Sequence, residues 1–588
     1  LVFEVMSFTS YTWVAHEQNE RAMRAANTYI AVAVIGGLVA LMGLFLLDHA
    51  LGTLQISALY EASHGLTDKS VLYIAGGCLL FGFGAKAGMF PLHIWLPKAH
   101  PVAPAPASAL LSGVLTKTGI FGVLVISCEI LRYDHAWGIV IVTLGTITMV
   151  LGAVLALLSV DLKRALACSS MSQIGFILIG IAMQCLLGEE NALAANGTML
   201  HMVNHSLIKL DLFMVAGVVY MNTHTLDLNK LKGWGKGKPI LNLCFLLGLL
   251  GIGGIPGFNG YISKTLLHEA IVEYAHHSHL AWVTVVEWLF LISGGITLTY
   301  MSKLYICLFV LGDKPKDEKR CMSPLSAFAI LTSALLIPAL GLTPHLTMDR
   351  IAHLGTHFMH AGEHAHAVHY FIWMNLKGAV ICIIVAIILY LLVVQKLLMK
   401  KQDGQIIYLN RLPAKMDLED LFYRPLLLVW LPTIFGTLMS FFGENKILKK
   451  LCSGVMKAIS TLTKWICDLP QVTKHLQRFA SFVFAMVCNI PDGIVYLLRK
   501  TIYRDSPFTP HEHRHYALIH GFGALIDGTR RLLGLPPRED ESYAELMTDA
   551  ASTIAQTTRG IASNFSFALL MACIGICMAI VYLLFIPR

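Results

Sequence analysis

Apolar residues in this chain do not alternate with polar ones. They gather in runs of about 20, bounded by short polar or Gly/Pro-rich stretches. Such runs lie at 28–47, 71–92, 107–131, 137–158, 166–187, 198–221, 239–258, 282–311, 324–345, 371–395 and 563–586. As helices rising 1.5 Å per residue, each is long enough to cross a hydrocarbon layer ~30 Å thick. Residues 1–15 read as the tail of another span, and 260–275 follows 239–258 so closely that the two read as one broken helix. The pattern predicts about twelve spans. All should be helical, because backbone groups in lipid must find partners within their own segment.

Composition agrees. The 588 residues are 56% hydrophobic and 14% charged, against roughly 25% charged in soluble domains. This excludes a nucleic-acid binder, a disordered chain and a secreted disulfide scaffold. The net charge of +8 has a topological origin. If loop 16–27 faces the cytoplasm, that loop and the alternate ones after it hold Arg21, Arg24, Lys98, Lys163, Arg164, Lys230, Lys232, Lys236, Lys238, Lys314, Lys316, Lys319 and Arg320. The opposite loops hold only Lys69, Arg132 and Arg350, an asymmetry that fixes orientation. The 13 cysteines form no CxxC pair, and most, such as Cys78, Cys185, Cys244 and Cys382, sit in apolar runs. They read as small buried hydrophobes, with no support for iron–sulfur or zinc ligation. The chain opens on Leu1-Val2-Phe3-Glu4, already inside an apolar run, and we expect further residues upstream.

Four regions follow: a membrane core over 1–345, a His-rich loop and span over 346–395, a mixed segment over 396–562 and a final span over 563–588. The third mixes apolar stretches (425–442, 479–498) with basic clusters and prolines at 470, 491, 507 and 510. The stretches form either a transmembrane hairpin or amphipathic helices in the interface, and the basic clusters favour the interface.

Ionisable residues inside spans carry the candidate chemistry, because each costs at least ~3 kcal/mol near the bilayer centre. Glu4, Lys86, Lys117, Lys209 and Lys264 are so placed. His201, His205 and Lys209 recur at i, i+4, i+8 and share one helix face. Single lysines near span ends, Lys98, Lys303 and Lys396, are expected to snorkel to the headgroups. Helix breakers flank two of the buried lysines: Pro91 and Pro97 follow Lys86, and Gly253, Gly254, Pro256, Gly257 and Gly260 precede Lys264. Broken helices at matching points of two halves mark ion paths in inverted-repeat transporters. A buried lysine whose partner can move is a proton relay, since burial disfavours its charge and pairing restores it.

These residues carry a resemblance. The stretch from Lys86 through Pro91-Leu92-His93-Ile94-Trp95-Leu96-Pro97 and His100-Pro101 to Lys117-Thr118-Gly119 is similar to the antiporter-like membrane subunits of complex I, Mrp-type antiporters and membrane-bound hydrogenases. Asp161 to Gly175, His201 to Lys209 and Gly253 to Lys264 resemble further blocks of that family, in family order, over about residues 1–345. The resemblance implies an all-α membrane fold of about sixteen helices, with inverted five-helix repeats, an interfacial lateral helix and a last span. Four helices would then precede this chain. It also implies that Glu4 partners Lys86, and that Lys117, His201, His205, Lys209 and Lys264 lie on a hydrophilic axis. The wording Leu96-Pro97-Lys98-Ala99-His100-Pro101 is most similar to energy-converting [NiFe] hydrogenases of the Ech and formate-hydrogenlyase type.

The implied function is a proton- or sodium-translocating subunit of a redox-driven complex in the inner (cytoplasmic) membrane. Its partners would be other membrane subunits and a peripheral redox arm carrying iron–sulfur clusters and [NiFe]. No cofactor, catalytic group or metal is assigned to the chain itself. An Mrp-type cation/proton antiporter subunit and a complex I pumping subunit are the alternatives, with a structural anchor as a third reading. Asp211, beside Lys209, departs from the family pattern and is a candidate partner for it or for a neighbour. His345, His353, His357, His360, His364, His366 and His369 depart too. The i, i+4, i+7 spacing of His353, His357 and His360 suits a metal, whereas a polar loop near the interface is the plainer account.

Overall fold

The computed structural model describes residues 2–66, 68–312, 321–362, 368–402 and 405–411, with Ala524 and Asp527. The chain divides into two compact units, Leu1–Asp417 with Leu570–Arg588 and Leu418–Leu569; every element named below belongs to the first. The expected interfacial stretches 425–442 and 479–498, the span 563–586 and the loop lysines 314–319 lie outside the described residues.

Helices follow one another in the order α1 (Val2–Val14), α2 (Glu20–Leu51), α3 (Ile56–His64), α4 (Ser70–Ala87), α5 (Leu96–Val102), α6 (Ala105–Leu110), α7 (Thr116–Val125), α8 (His135–Leu158), α9 (Leu162–Leu187), α10 (Ala192–Thr223), α11 (Leu228–Leu231), α12 (Pro239–Gly253), α13 (Asn259–Ser278), α14 (Ala281–Tyr305), α15 (Pro324–Leu342), α16 (Asp349–Thr356) and α17 (Trp373–Leu389). Among the described residues nine helices are long and apolar enough to cross a membrane, and the sequence expectation located each of them. The polar punctuation sets the helix starts. Asn19, Asp134, Asp161 and Ser323 each accept a backbone N–H from the first turn that follows.

α9 is the centre. Its apolar window is buried along its whole length, whereas that of α17 is 11% buried. α17 therefore shows an apolar outer surface, with Trp373 and Ile384 exposed, as a helix facing lipid should. α8 lies directly on α9, because Gly152 sits against the backbone of Ser172 and Gly175 against that of Met149. Small residues of this kind let membrane helices approach closely.

Both expected breaks are present, and they share one anatomy. α4 ends at Gly88 and α12 ends at Gly254, each in the left-handed conformation (φ 78° and 75°) with its N–H returned to the last-turn carbonyls. A residue with a Cβ pays for that conformation and glycine does not. After the first break the chain restarts through a 3-10 turn (Leu92–Trp95) into α5, and after the second directly into α13.

The core is not one apolar mass. One buried apolar cluster takes Ile174–Ile179 of α9, Leu193–Leu200 of α10 and Tyr261–Ile271 of α13. A second takes Leu162–Cys168 of α9, Ile208–Val219 of α10 and Ile296–Leu308 from α14 onward. Between them α9 presents Ser169, Ser170, Ser172 and Gln173, α10 presents His201, Asn204 and His205, and α14 presents Ser293, all buried. This polar seam crosses the bundle at mid-depth.

Two local structures differ from the sequence expectation. Residues 399–402 and 405–408, expected within the helical interfacial region, form an antiparallel strand pair of β1 (Met399–Gln402) and β2 (Gln405–Tyr408), with Met399 opposite Tyr408. The loop around α11 holds it: Asn229 exchanges two hydrogen bonds with Tyr408, and Lys232 donates to the Ile406 carbonyl. The start of the expected His-rich loop is helical, as a π-turn (Pro344–Met348) running into α16.

Candidate ion pathway

Lys86 is in the last turn of α4 and is 2% exposed. Its Nζ donates to Ser7 Oγ at 2.8 Å and to Tyr29 Oη at 2.9 Å, and lies over the rings of Phe3 and Tyr29. Tyr29 is bonded in turn to Ser10 at 2.5 Å. The expected partner Glu4 is nearby, within electrostatic reach of Lys86. Its Oε1 is buried without a hydrogen-bond partner, and its carboxylate occupies the space where Gly37 lacks a Cβ. The first break thus holds its ammonium between a hydroxyl pair and two aromatic faces, with the carboxylate beside it.

α7 packs on α4 so tightly that Gly119 meets the backbone of Phe83 and Ala87. Two residues earlier is Lys117. A π-turn (Leu111–Leu115) precedes it, and Lys117 Nζ takes the Ser112 carbonyl at 2.7 Å. Such single turns leave carbonyls available at functional points of helices. The same ammonium is hydrogen-bonded to His205 Nδ1 of α10.

α10 then spreads the axis over three neighbours. One turn before His205, His201 is bonded to Ser263 Oγ of α13 at 2.9 Å and to Gln173 Oε1 of α9 at 3.1 Å. Asn204 donates to the Asn259 carbonyl and to Ser263. One turn after His205, Lys209 is fully buried and donates to the Leu166 carbonyl and to Ser169 Oγ of α9, which also receives Tyr300 Oη. The i, i+4, i+8 face is therefore buried throughout, but its members are divided: His201 meets α13 and α9, His205 meets α7 and Lys209 meets α9.

Lys264 follows Ser263 in the second half of the second broken helix. Its Nζ donates to the Ile252 carbonyl at 2.7 Å and lies over the Phe176 ring. That carbonyl belongs to the last turn of α12, where helix carbonyls lack intrahelical donors and carry the negative end of the dipole. Lys86 occupies the equivalent end of α4. The two breaks hold their ammoniums differently: Lys264 on a helix-end carbonyl, Lys86 on two hydroxyls.

Three sequence expectations are corrected. Lys303 does not snorkel: it is 2% exposed and donates to the carbonyls of Leu157 and Ser159. Lys163, counted as a loop charge, is buried and donates to the Ala103 carbonyl. Asp211 does not pair with Lys209; both its carboxylate oxygens are buried without partners, on the side of Gly248. Burial of the two lysines became visible only once α8, α9 and α14 were packed, because their positions along the sequence are those of ordinary span ends.

Within the His-rich segment, His360 is bonded to the buried Glu129 at 2.7 Å and to Arg132, whose guanidinium stacks on Tyr60. His345 pairs with Asp349 of its own helix. His353 and His357 are not brought to His360 as ligands, and among the described residues no three His, Cys, Asp or Glu side chains gather in a metal-holding arrangement. His364 and His366 lie outside the described residues. Sequence reasoning also missed Ser7, Tyr29, Gln173, Asn204 and Tyr300, which supply most of the hydrogen bonds on the axis. Buried serines and amides inside apolar runs were the available signal.

Comparison with known proteins places the fold that carries this arrangement. The family described as NADH:quinone oxidoreductase/Mrp antiporter, transmembrane, matches residues 1–293. That half of the chain belongs to this family. The antiporter-like chain is 31% identical over 372 residues to hydrogenase-4 component B of Escherichia coli (strain K12), covering 61% of this chain and 55% of the relative. It is 30% identical over 317 residues to formate hydrogenlyase subunit 3 of the same organism, covering 52% of each. It spans about half the length of these curated relatives. The fold is similar to that of a subunit in the Mrp complex from Dietzia sp. DQ12-45-1b (TM-score 0.54, 23% identity, 61% of this chain and 73% of that one). It is also similar to a chain of respiratory complex I from Thermus thermophilus (TM-score 0.51, 21% identity, 61% and 73%). The antiporter-like fold with its two broken helices is thus the one the sequence implied.

Proposed function

We propose that this chain is the proton-translocating subunit of a redox-driven membrane complex of the energy-converting hydrogenase type. One observation carries the reading: Lys117, His205, His201, Ser263 and Lys264 form a buried succession between two apolar clusters, joined by hydrogen bonds or by one helical turn. An isolated lysine in this environment costs several kcal/mol, and a fold with no use for the charges would be more stable with apolar residues there. A proton arriving at one station changes the charge felt at the next, so protons move along the axis by alternate occupation. The Lys86 station, with Glu4 beside it, gates one end and Lys264 the other.

Partner subunits would supply the chemistry. Electron transfer through iron–sulfur clusters and [NiFe] in a peripheral arm would drive the axis through conformational or electrostatic change, in the inner membrane of the cell. Identity to two hydrogenase components over half their length supports this assignment. The test is the intact complex purified through this chain. Nickel with abundant iron is expected, together with loss of ion transport but not of hydrogen turnover in Lys264→Ala. Iron without nickel would move the chain to a complex I-like assembly, and neither metal would leave the Mrp-type exchanger.

A further inference from the structure

The axis needs an opening at Lys264, and α13 supplies one that the sequence reading left aside. Beyond Lys264 this helix carries His268, Glu269, Glu273, His276 and His277. His268 lies four residues on from Lys264, on the same face, and Glu269, Glu273 and His277 form a second stripe at i, i+4, i+8. A helix that is apolar around its whole surface elsewhere would be expected here; this one carries a descending ladder of titratable groups. It leads from the mid-membrane break to the short connection at His279, on the face opposite the basic loops.

Lys264 and His268 open into one cavity of about 40 Å³, lined also by Phe176, Gly254, Phe290 and Cys382. A site needs roughly 10–15 Å³ of such volume, and polar walls, to hold a water molecule. His268 Nε2 is 3.2 Å from Glu287 Oε1 of α14, and its Nδ1 is 3.8 Å from Glu269 Oε1. The ring stacks on Phe290, and the absence of a side chain at Gly378 lets α17 pass beside Nδ1. The imidazole is 17% exposed and the two carboxylates 24% and 26%, so the cluster joins the buried cavity to the surface. Lys377 and His276 are the other charged groups within reach of Glu287. Further down, Glu273 has a buried Oε2 without a hydrogen-bond partner, and His277 pairs with Glu190 at 3.3 Å.

We infer that His268, with Glu287 and Glu269, is the terminal proton-transfer station between Lys264 and the membrane face opposite the basic loops. The inference rests on the translocation reading above. The Lys264 ammonium loses a proton through the cavity to one ring nitrogen of His268. The resulting imidazolium gives up the proton on its other nitrogen to a flanking carboxylate, and the carboxylate releases it toward Glu273 and Glu190. Only N–H and O–H bonds form and break; Lys264 is left neutral until the axis reprotonates it, and the imidazole, left as its other tautomer, is reset by rotation of the ring or return of a proton.

The test compares variants of the intact complex in proteoliposomes, reading protons moved per redox turnover. His268→Ala should slow proton release on the order of 10²-fold, the range for a lost general acid–base group, so that most of that ratio is lost, and added imidazole should restore most of it. Glu287→Gln, which keeps the shape and an acceptor oxygen, should lower it about tenfold. If His268→Ala fails to assemble, His268→Gln takes its place with the same expected loss. Normal pumping in the His268 and Glu287 variants, with Lys117→Met inactive, would overturn the terminal station and leave the axis standing. Loss in His268→Ala without imidazole rescue, with Glu287→Gln normal, would assign His268 to α13–α14 packing and also overturn it. Normal pumping in Lys117→Met would overturn the axis itself.

Discussion

Lys303 of α14 closes the end of α8: its Nζ donates to the Leu157 carbonyl at 2.6 Å, and to the Ser159 carbonyl at 2.7 Å. A helix end buried in a bundle needs partners for its last carbonyls, and here a lysine from another helix provides them. Lys303 is then a fastening between α8 and α14. Replacing it with Met should cost about 1–3 kcal/mol, the penalty for orphaned buried acceptors. The expected result is a lower thermal midpoint of the purified chain in detergent with the pumping ratio of surviving complex intact. A lost pumping ratio at unchanged stability would place Lys303 on the pathway instead.

Lys117 and His205 share one hydrogen bond between α7 and α10. Groups that act as a unit give strongly non-additive losses. Lys117→Met and His205→Leu should each reduce proton translocation on the order of 10²-fold, and the double variant should be no worse than either. A multiplicative loss in the double variant would mean that the two act in separate steps.

Gly37 of α2 leaves the space that the Glu4 carboxylate fills. Gly37→Ala should therefore displace Glu4 and reproduce the coupling defect of Glu4→Gln, although residue 37 has no titratable group. Ala is the better helix former, so the variant should assemble. Proton uptake measured in the two variants side by side checks this; full uptake in Gly37→Ala with loss in Glu4→Gln would break the link.

Gly260, in the first turn of α13, meets the Gly251 carbonyl of α12 so closely that a Cβ cannot be placed there without moving the backbone. The second break is held in its geometry by this contact. Gly260→Ala should destabilise the chain by about 1–3 kcal/mol and shift Lys264 from the Ile252 carbonyl. Reduced yield of assembled complex, with impaired pumping in what remains, is the expected outcome; the Gly257→Ala chain, where only Leu342 is near but φ is +92°, separates backbone strain from contact.

The sequence by itself determined the class, the nine described spans and the burial of Lys86, Lys117, Lys209 and Lys264. Runs of 20 apolar residues admit no other secondary structure in lipid, and charges inside them are too costly to be incidental. The breaks were legible for the same local reason, since Gly and Pro act on the backbone where they stand. Only the tertiary structure decided which charges work together. His201, His205 and Lys209 look like one line on a helical face, yet His201 is bonded to α13 and α9, His205 to α7 and Lys209 to α9. Lys303 and Lys163 looked like span-end charges and proved to be buried fastenings, and Asp211 looked like a partner for Lys209 and faces away. Pairing across helices depends on which faces meet and at what depth. That is set by packing between residues tens to hundreds of positions apart, and no local spacing encodes it.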